Sequence, residues 1–317
     1  MQISKEEKEV KKANHKVIKF NKFKKEISAK NKEDMDYEKN DNLITGDTKI
    51  KKIFMYVLGI FLGLIFLSPF YILIINSFKS KKEIFSSTIT MPAKWIFDNY
   101  TQAFEKLDFL RALGMSILVS AVSITIIVVF TSMAAWNLQR TRGKKSNIIF
   151  MMFVASMLVP FQAVMLPLVN IMGKLNMLNV LGLIFMYFGF GSALSIFLYH
   201  GFVKSIPRDL DDAAMIDGCS KLQTFWYIIF PLLKPTTITV VILNLVWIWN
   251  DYLLPSLVIN KNGTQTIPLK TFYFFGQFTK QWNLALAGLV ITIIPVIIFY
   301  MIAQKQIIRS ITEGSVK

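Results

Sequence analysis

Six apolar blocks, each about 20 residues or longer, divide this 317-residue chain. A helical block of that length crosses a hydrocarbon core of roughly 30 Å. Water is absent there, so the backbone N–H and C=O groups of each block must bond within the helix. The sequence therefore predicts an all-α polytopic membrane protein with six transmembrane helices, at about residues 53–76, 109–138, 147–171, 180–202, 236–258 and 284–303.

Basic residues are distributed unevenly around these blocks. Residues 1–52 carry 15 Lys or Arg beside 10 Asp or Glu. The loop after the second block is basic and has no acid, whereas the loop after the first block, with its five lysines, is an exception. Because cytoplasmic loops are enriched in Lys and Arg, we expect a cell-membrane protein with both termini and residues 203–235 in the cytoplasm. The net charge of +16 thus indicates orientation and not nucleic-acid binding.

Residues 1–50 form a lysine-rich N-terminal tail without the apolar core of a signal peptide. Few large apolar residues occur in it, which favours a disordered tail. Val17, Phe20, Phe23 and Ile27 recur at spacings of three and four, so a basic amphipathic helix on the anionic inner leaflet is the alternative. The transmembrane domain is residues 51–317 in either case.

Motifs for catalysis are missing from the sequence. No phosphate loop of the G-x-x-x-x-G-K-[ST] type is present, and His15 and His200 form no metal-binding pattern. We therefore expect a non-enzymatic protein without a metal site or cofactor of its own. Any energy for its work comes from a partner or from an ion gradient.

Polar residues inside the spans are candidates for a substrate path, because such residues are rare and costly in a bilayer. Pro160 and Pro167 are expected to distort the third span, and Pro255 is expected to break the fifth. The alternative for Asp251 is contact with a neighbouring helix or a place at the outer interface, with the tryptophans in the interfacial belt. The alternative for the third span is a simple packing distortion. The candidates for the substrate path are Gln162, Asn244, Trp247, Asn250 and Asp251.

The loop between the first two spans ends in a pattern of large apolar residues. From Phe97 onward these recur at spacings of three and four, through Tyr100, Phe104 and Leu107. This period indicates a short helix near the outer surface, against the membrane or a neighbouring subunit.

The segment 203–235 contains an unusually structured polar stretch, DLDDAAMIDGCS. Asp209 is expected to cap a short helix, with Asp212 three residues later returning a bond. Asp217 and Gly218 end it, since glycine tolerates positive φ, and Ser220 with Gln223 opens a second helix. So short a helix is unstable alone and is expected to dock on a partner, although a self-contained loop is possible. The coupling candidates are Asp211, Asp212, Ala213, Ala214, Asp217 and Gly218.

This stretch resembles the EAA loop of ABC importer permeases, D-D-A-A-x-x-D-G followed by F-x-x-I-x-x-P. Asp212 stands where the family usually has Glu, and Cys219 where it usually has Ala. Further runs resemble carbohydrate importer permeases over about residues 50–317: AAW before Arg140, PFQ at 160–162, WNDY at 249–252 and GSVK at the end. The chain is most similar to the smaller of the two unlike permeases in maltose-type, binding-protein-dependent importers.

The resemblance implies a type I ABC importer permease fold with a cytoplasmic coupling helix. It implies a second, unlike permease, two ATPase subunits that bind the ATP, and an extracytoplasmic sugar-binding protein. The expected cargo is a disaccharide or oligosaccharide. An ion-coupled secondary transporter is the alternative, but that class typically has several intramembrane carboxylates, and only Asp251 is available.

Overall fold

The computed structural model describes residues 49–141, 143–259, 261–272, 274 and 281–315. Within these ranges every regular element is a helix, as the sequence predicts. The predicted N-terminal tail lies outside them except for its last two residues. The chain divides into two compact units, residues 1–69 and residues 70–317.

Thirteen helices follow one another in the described ranges. In chain order they are α1 (Lys49–Ser77), α2 (Lys81–Ser86), α3 (Asp98–Lys106), α4 (Phe109–Arg140), α5 (Lys144–Ser156), α6 (Phe161–Lys174), α7 (Val180–Val203), α8 (Asp209–Ile216), α9 (Lys221–Leu232), α10 (Lys234–Asn250), α11 (Leu253–Val258), α12 (Ile267–Phe272) and α13 (Trp282–Ser315). Residues Phe225–Ile229 within α9 are a π-helix. The expected short helix between the first two spans is present as α3, whereas its place near the outer surface stays a prediction.

Membrane-spanning length is reached by four unbroken stretches in α1, α4, α7 and α13. Two further spans are bent helix pairs, α5 with α6 at 103° and α9 with α10 at 77°. Counting each pair as one crossing gives the six spans that the sequence predicts. The polytopic all-α fold class is thus confirmed.

The third apolar block, expected over 147–171 with a distortion at its prolines, is broken into two helices. It forms α5 and α6, with the break at residues 157–160. Pro160 takes an extended backbone (φ −67°, ψ 138°) just before α6, and the proline ring cannot continue a helix from the preceding turn. Pro167 lies inside α6 without ending it.

The fifth block is broken near Pro255, as the sequence predicts. Helix α10 ends at Asn250, Asp251 has an extended backbone (ψ 126°), and α11 begins at Leu253. Pro255 is the third residue of α11, in the first turn where a helix does not need its backbone N–H. The block at 236–258 is therefore two helices instead of one.

The core lies between α4 and α7. Ile127, Leu183, Tyr187 and Tyr199 are at most 1% exposed there. Close approach depends on Gly191 of α7, where an added Cβ would lie 2.6 Å from both Ile127 Cδ1 and Asn244 Oδ1. Helices α4, α7 and α10 thus pack around one small residue.

Candidate functional site

Helix α8 carries the polar stretch that the sequence singled out. Asp209, Asp211 and Asp212 all lie in its first turn, where the helix dipole favours negative charge. The expected cap is wrong: the N-cap residue is Arg208, and no side chain caps the helix. Arg208 is already helical (φ −70°, ψ −25°), so Asp209 lies inside the helix and lacks the extended backbone that a capping side chain needs.

Asp211 fastens α8 to the end of α4. Its Oδ2 lies 2.8 Å from Arg140 Nη2, and its Oδ1 accepts a 2.9 Å hydrogen bond from Trp136 Nε1. The two charged side chains are only 12% and 14% exposed, so solvent screens this ion pair weakly. Both carboxylate oxygens of Asp211 thus contact side chains of α4.

Two arginines add reciprocal backbone bonds at the same junction. Arg140 Nη2 donates to the carbonyl of Ile206 at 3.1 Å, just before α8. Arg208 Nη2 donates to the carbonyl of Gln139 at 3.0 Å, in the last turn of α4. The approach to α8 is therefore held from both sides, and α8 is positioned by α4 as well as by its own sequence.

Helix α8 ends in a turn at Gly218, as predicted. Gly218 has φ +83°, and Cys219 N donates to Ala214 O at 2.9 Å across the turn. The predicted second capping box is also present: Gln223 N donates to Ser220 Oγ at 3.3 Å, and Ser220 N donates to Gln223 Oε1 at 2.8 Å. A single glycine turn therefore links α8 to α9.

The other face of α8 is open. Ala214 is buried against the protein with Asp211, while Asp212, Ala213, Asp217 and Gly218 are exposed. Large apolar side chains accompany them: Leu210 is 38%, Met215 55% and Ile216 86% exposed. A cleft of about 250 Å³ lies between this helix and the end of α4, and Arg140 and Asp211 are among the residues that line it. A short helix with a fixed inner face and large apolar side chains exposed on its outer face suits docking on another protein.

Two of the substrate-path candidates bond neighbouring helices. Asn244 is 4% exposed, and its Nδ2 donates to Ser195 Oγ at 3.1 Å and to the Val240 carbonyl at 2.9 Å. Asp251 Oδ2 accepts from the Tyr187 hydroxyl at 3.0 Å. Each of these two side chains therefore ties α10 or its end to α7.

Asp251 also opens the next helix. Its Oδ1 accepts from Leu253 N at 3.0 Å and from Leu254 N at 3.4 Å. Trp247 lies edge-on to Tyr187, with ring centroids 5.4 Å apart, and is 40% exposed. The structure thus brings Trp247 and Asp251 together around Tyr187.

The remaining candidates, Gln162 on α6 and Asn250 at the end of α10, are exposed. Asn250 Nδ2 donates to the Val246 carbonyl at 2.7 Å. The two residues lie on different helices, and each presents an amide group at the surface of this chain.

Several anchoring residues were missed by reasoning from the sequence. Trp136 and Arg140 were noted only as part of a motif, and Arg140 as an orientation charge. Tyr187, Ser195 and Tyr199 of α7 were not singled out. Their partners Thr237, Asn244 and Asp251 are seven residues apart, a spacing that returns polar groups to one helix face. That spacing was the available signal.

The comparisons with known proteins agree with this architecture. Residues 127–313, more than half of the chain, match the family described as "Binding-protein-dependent transport system inner membrane component". The chain belongs to this family. The predicted resemblance to importer permeases is therefore confirmed.

Two curated relatives are similar over nearly their whole length. A probable starch degradation products transport system permease protein, AmyC of Thermoanaerobacterium thermosulfurigenes, is 52% identical over 84% of this chain and 98% of its own. The multiple sugar-binding transport system permease protein MsmG of Streptococcus mutans is 35% identical over 86% of this chain and 99% of its own.

A solved structure shares the fold. It is a bacterial ABC transporter involved in the import of the acidic polysaccharide alginate, 23% identical, with a TM-score of 0.67 over 82% of this chain and 98% of that one. The expected ABC importer permease fold is thus confirmed.

Proposed function

We propose that this chain is the smaller permease subunit of an ATP-driven importer that carries an oligosaccharide into the cytoplasm. One observation carries the proposal: α8 is fastened to α4 through Asp211 while its outer face is open and exposes Leu210, Met215 and Ile216. The family supplies the role of permease. We assign ATP binding to two partner ATPase subunits, and the absence of a G-x-x-x-x-G-K-[ST] phosphate loop from the sequence supports this assignment.

Helix α8 would work as a short lever. A partner that moves it also pulls on Arg140 and Trp136, because both side chains hold Asp211. Helix α4 then carries the displacement into the bundle, since it packs along α7 through buried residues. Gly218 provides the turn at which α9 can change direction. The lever needs a cytoplasmic location, which we assign to this segment and to both termini from the basic loops.

Docking on an ATPase is tested through Ile216, the most exposed apolar residue of α8. Ile216→Asp introduces a charge into the open face without disturbing the anchor and is expected to abolish co-purification with the ATPase and binding-protein-stimulated ATP hydrolysis. Leu181→Asp is the matched control, because Leu181 is 76% exposed at the opposite end of α7. Equal effects of the two changes would contradict docking through α8.

The proposed substrate class is oligosaccharides released from starch. The support is the 52% identity with a permease named for starch degradation products, over almost its entire length. The assay is ATP hydrolysis by the assembled importer with its extracytoplasmic binding protein and a series of maltooligosaccharides. Stimulation by another sugar class and none by these would refute the substrate while leaving the importer role intact.

Within the chain, we propose that Gln162, Trp247 and Asn250 face the sugar, since their side chains are exposed. Asn244 and Asp251 would serve them as positioning residues, because their polar atoms are bound to α7 and α11. A carboxylate that already accepts three hydrogen bonds is also a poor carrier of a coupling ion. Uptake driven by an ion gradient without ATP would favour the secondary transporter instead.

A further inference from the structure

The loop between α1 and α3, residues 78–97, folds back along the end of α1. Three consecutive backbone carbonyls in it each accept from a side chain. Lys79 Nζ donates to Ser87 O at 2.9 Å, Asn76 Nδ2 to Thr88 O at 2.7 Å and the Tyr71 hydroxyl to Ile89 O at 3.3 Å. A backbone whose carbonyls are bonded by side chains needs no water, so this pattern fits a segment at the edge of a bilayer. We call residues 78–97 the outer loop.

The depth of the outer loop follows from its bond to Tyr71. Tyr71 lies six residues before the end of α1 at Ser77, which is about 9 Å along the helix axis. The apolar stretch that can cross a membrane runs to Ser77. Ile89 is therefore level with a turn that belongs to the span, and an interfacial segment reaches to a depth of roughly 5–10 Å.

The outward face of the outer loop is apolar and aromatic. Phe85 is 67%, Ile89 71%, Met91 60% and Phe97 66% exposed, with Trp95 at 50%. So many large exposed apolar side chains within 13 residues are unusual in contact with water. Lys81, Lys82 and Lys94 lie in the same segment as exposed cations. Aromatic rings with lysines at their edge are the composition of a membrane–water interface.

The inner side of the same loop is rigid. Lys79 is fully buried, and Asn99 Nδ2 donates to the carbonyls of Ser77 and Lys79 at 2.9 Å each. Asn99 Oδ1 in turn accepts from Asn283 Nδ2 of α13 at 2.9 Å. Ala93 N donates to Glu83 Oε1 at 2.6 Å, which occupies this carboxylate within the loop. The exposed apolar face is thus presented by a fixed scaffold.

We propose that the outer loop is an interfacial anchor that inserts Ile89 and Met91 into the lipid at the headgroup–acyl boundary of the outer leaflet. Lipid is the occupant because the depth, the satisfied carbonyls and the flanking lysines all fit a bilayer edge. Phosphate groups of anionic lipids pair with Lys81, Lys82 and Lys94. The anchor fixes the outer end of α1 relative to α13 through Asn99, whatever sugar is carried.

The test is site-specific labelling of introduced cysteines, which is possible because the chain has a single native cysteine, Cys219. In a Cys219→Ser background, the variants Ile89→Cys and Met91→Cys are labelled with the fluorophore NBD, and Glu105→Cys on α3 is the exposed control. The importer assembled with its partner subunits is reconstituted in phosphatidylcholine–phosphatidylglycerol vesicles. Quenching is measured with aqueous iodide and with lipid that carries a doxyl group near the headgroup.

The expected result at positions 89 and 91 is a blue-shifted emission, quenching by the doxyl lipid and loss of quenching by iodide, with the reverse at 105. Iodide quenching at 89 and 91 equal to that at 105 would show that the loop is in water and overturn the proposal. Protection from both quenchers would show that protein covers the face and would overturn it as well. All labelled sites are exposed, so the packing of the chain is unaffected, and neither ATP nor sugar enters the measurement.

Discussion

Removing the carboxylate of Asp211 should release α8 from the membrane domain. The change Asp211→Ala leaves Arg140 without its counter-charge and the Trp136 N–H without an acceptor. Breaking a buried ion pair from one side costs about 3–5 kcal/mol, and the low exposure of both partners places this pair near that class. Asp211→Asn keeps an acceptor for the indole and loses the charge, so a smaller cost of about 1.5–3 kcal/mol is expected.

Hydrogen exchange of the α8 peptide measures this directly, because the backbone amides of Asp217 and Cys219 are protected only while the helix is formed. A loss of about 3 kcal/mol in local opening free energy corresponds to roughly 100-fold faster exchange. We expect that for Asp211→Ala and about tenfold for Asp211→Asn. Asp212→Asn is the matched control, since Asp212 is the exposed neighbour with the same charge. Equal exchange in the Asp211 and Asp212 variants would refute the anchoring argument.

A double-mutant cycle isolates the ion pair from the rest of the junction. Arg140→Gln also weakens the bond to the Ile206 carbonyl, so its own effect is not the energy of the pair. The cost of the double variant Arg140→Gln/Asp211→Asn should fall short of the sum of the two single costs by about 1–3 kcal/mol. Strict additivity would place the anchoring in the backbone bonds alone.

The other predictions concern glycines and the broken fifth span. Gly218→Val should lower sugar uptake per ATP hydrolysed, because φ +83° disfavours a β-branched residue, whereas Gly218→Asn should be tolerated; equal ratios would contradict a hinge there. Gly191→Ala should lower thermal stability by about 1–3 kcal/mol, since its Cβ would meet atoms at 2.6 Å, while Gly189→Ala, with open space around it, should be neutral. Asp251→Ala and Tyr187→Phe should both slow transport without preventing assembly, as both break the bond between these two side chains; an effect of the first alone would contradict a role for that bond and leave the cap of α11 or direct sugar contact as the role of Asp251.

The six apolar blocks could be predicted because bilayer thickness fixes their length. The positions of the breaks at Pro160 and near Pro255 could be predicted as well, since proline removes a helix hydrogen bond. The 103° angle between α5 and α6 could not be, because proline permits a bend and packing against neighbouring helices sets its size.

Sequence reasoning found the segment around α8 but not which aspartate is buried. Asp211 and Asp212 cannot be distinguished by local sequence. Which of them is buried depends on the ion pair with Arg140, which is distant in sequence. The misplaced cap at Asp209 has a similar cause, because Arg208 is held to the Gln139 carbonyl. Polar residues such as Asn244 were assigned to a substrate path, whereas the low dielectric of a bundle core also demands that they find partners.

The pair of Arg140 and Asp211 also constrains the topology of the chain by simple parity. Two atoms 2.8 Å apart lie on the same side of a bilayer, and between these residues the chain passes through the α5–α6 pair and through α7. Since α7 crosses once, the α5–α6 pair must cross as well, despite its bend. A re-entrant hairpin there would leave the arginine and the aspartate on opposite faces of the membrane.

A second contact completes the count on the other face. Lys106 Nζ donates to Gln281 Oε1 at 2.9 Å, so these residues share a side, and α4 separates Lys106 from Arg140. The chain must therefore return across the bilayer between Asp211 and Gln281, and the α9–α10 pair is the bent span available for that crossing. Two polar contacts, each between residues distant in sequence, thus determine whether the bent helix pairs cross the bilayer, which hydropathy alone leaves open.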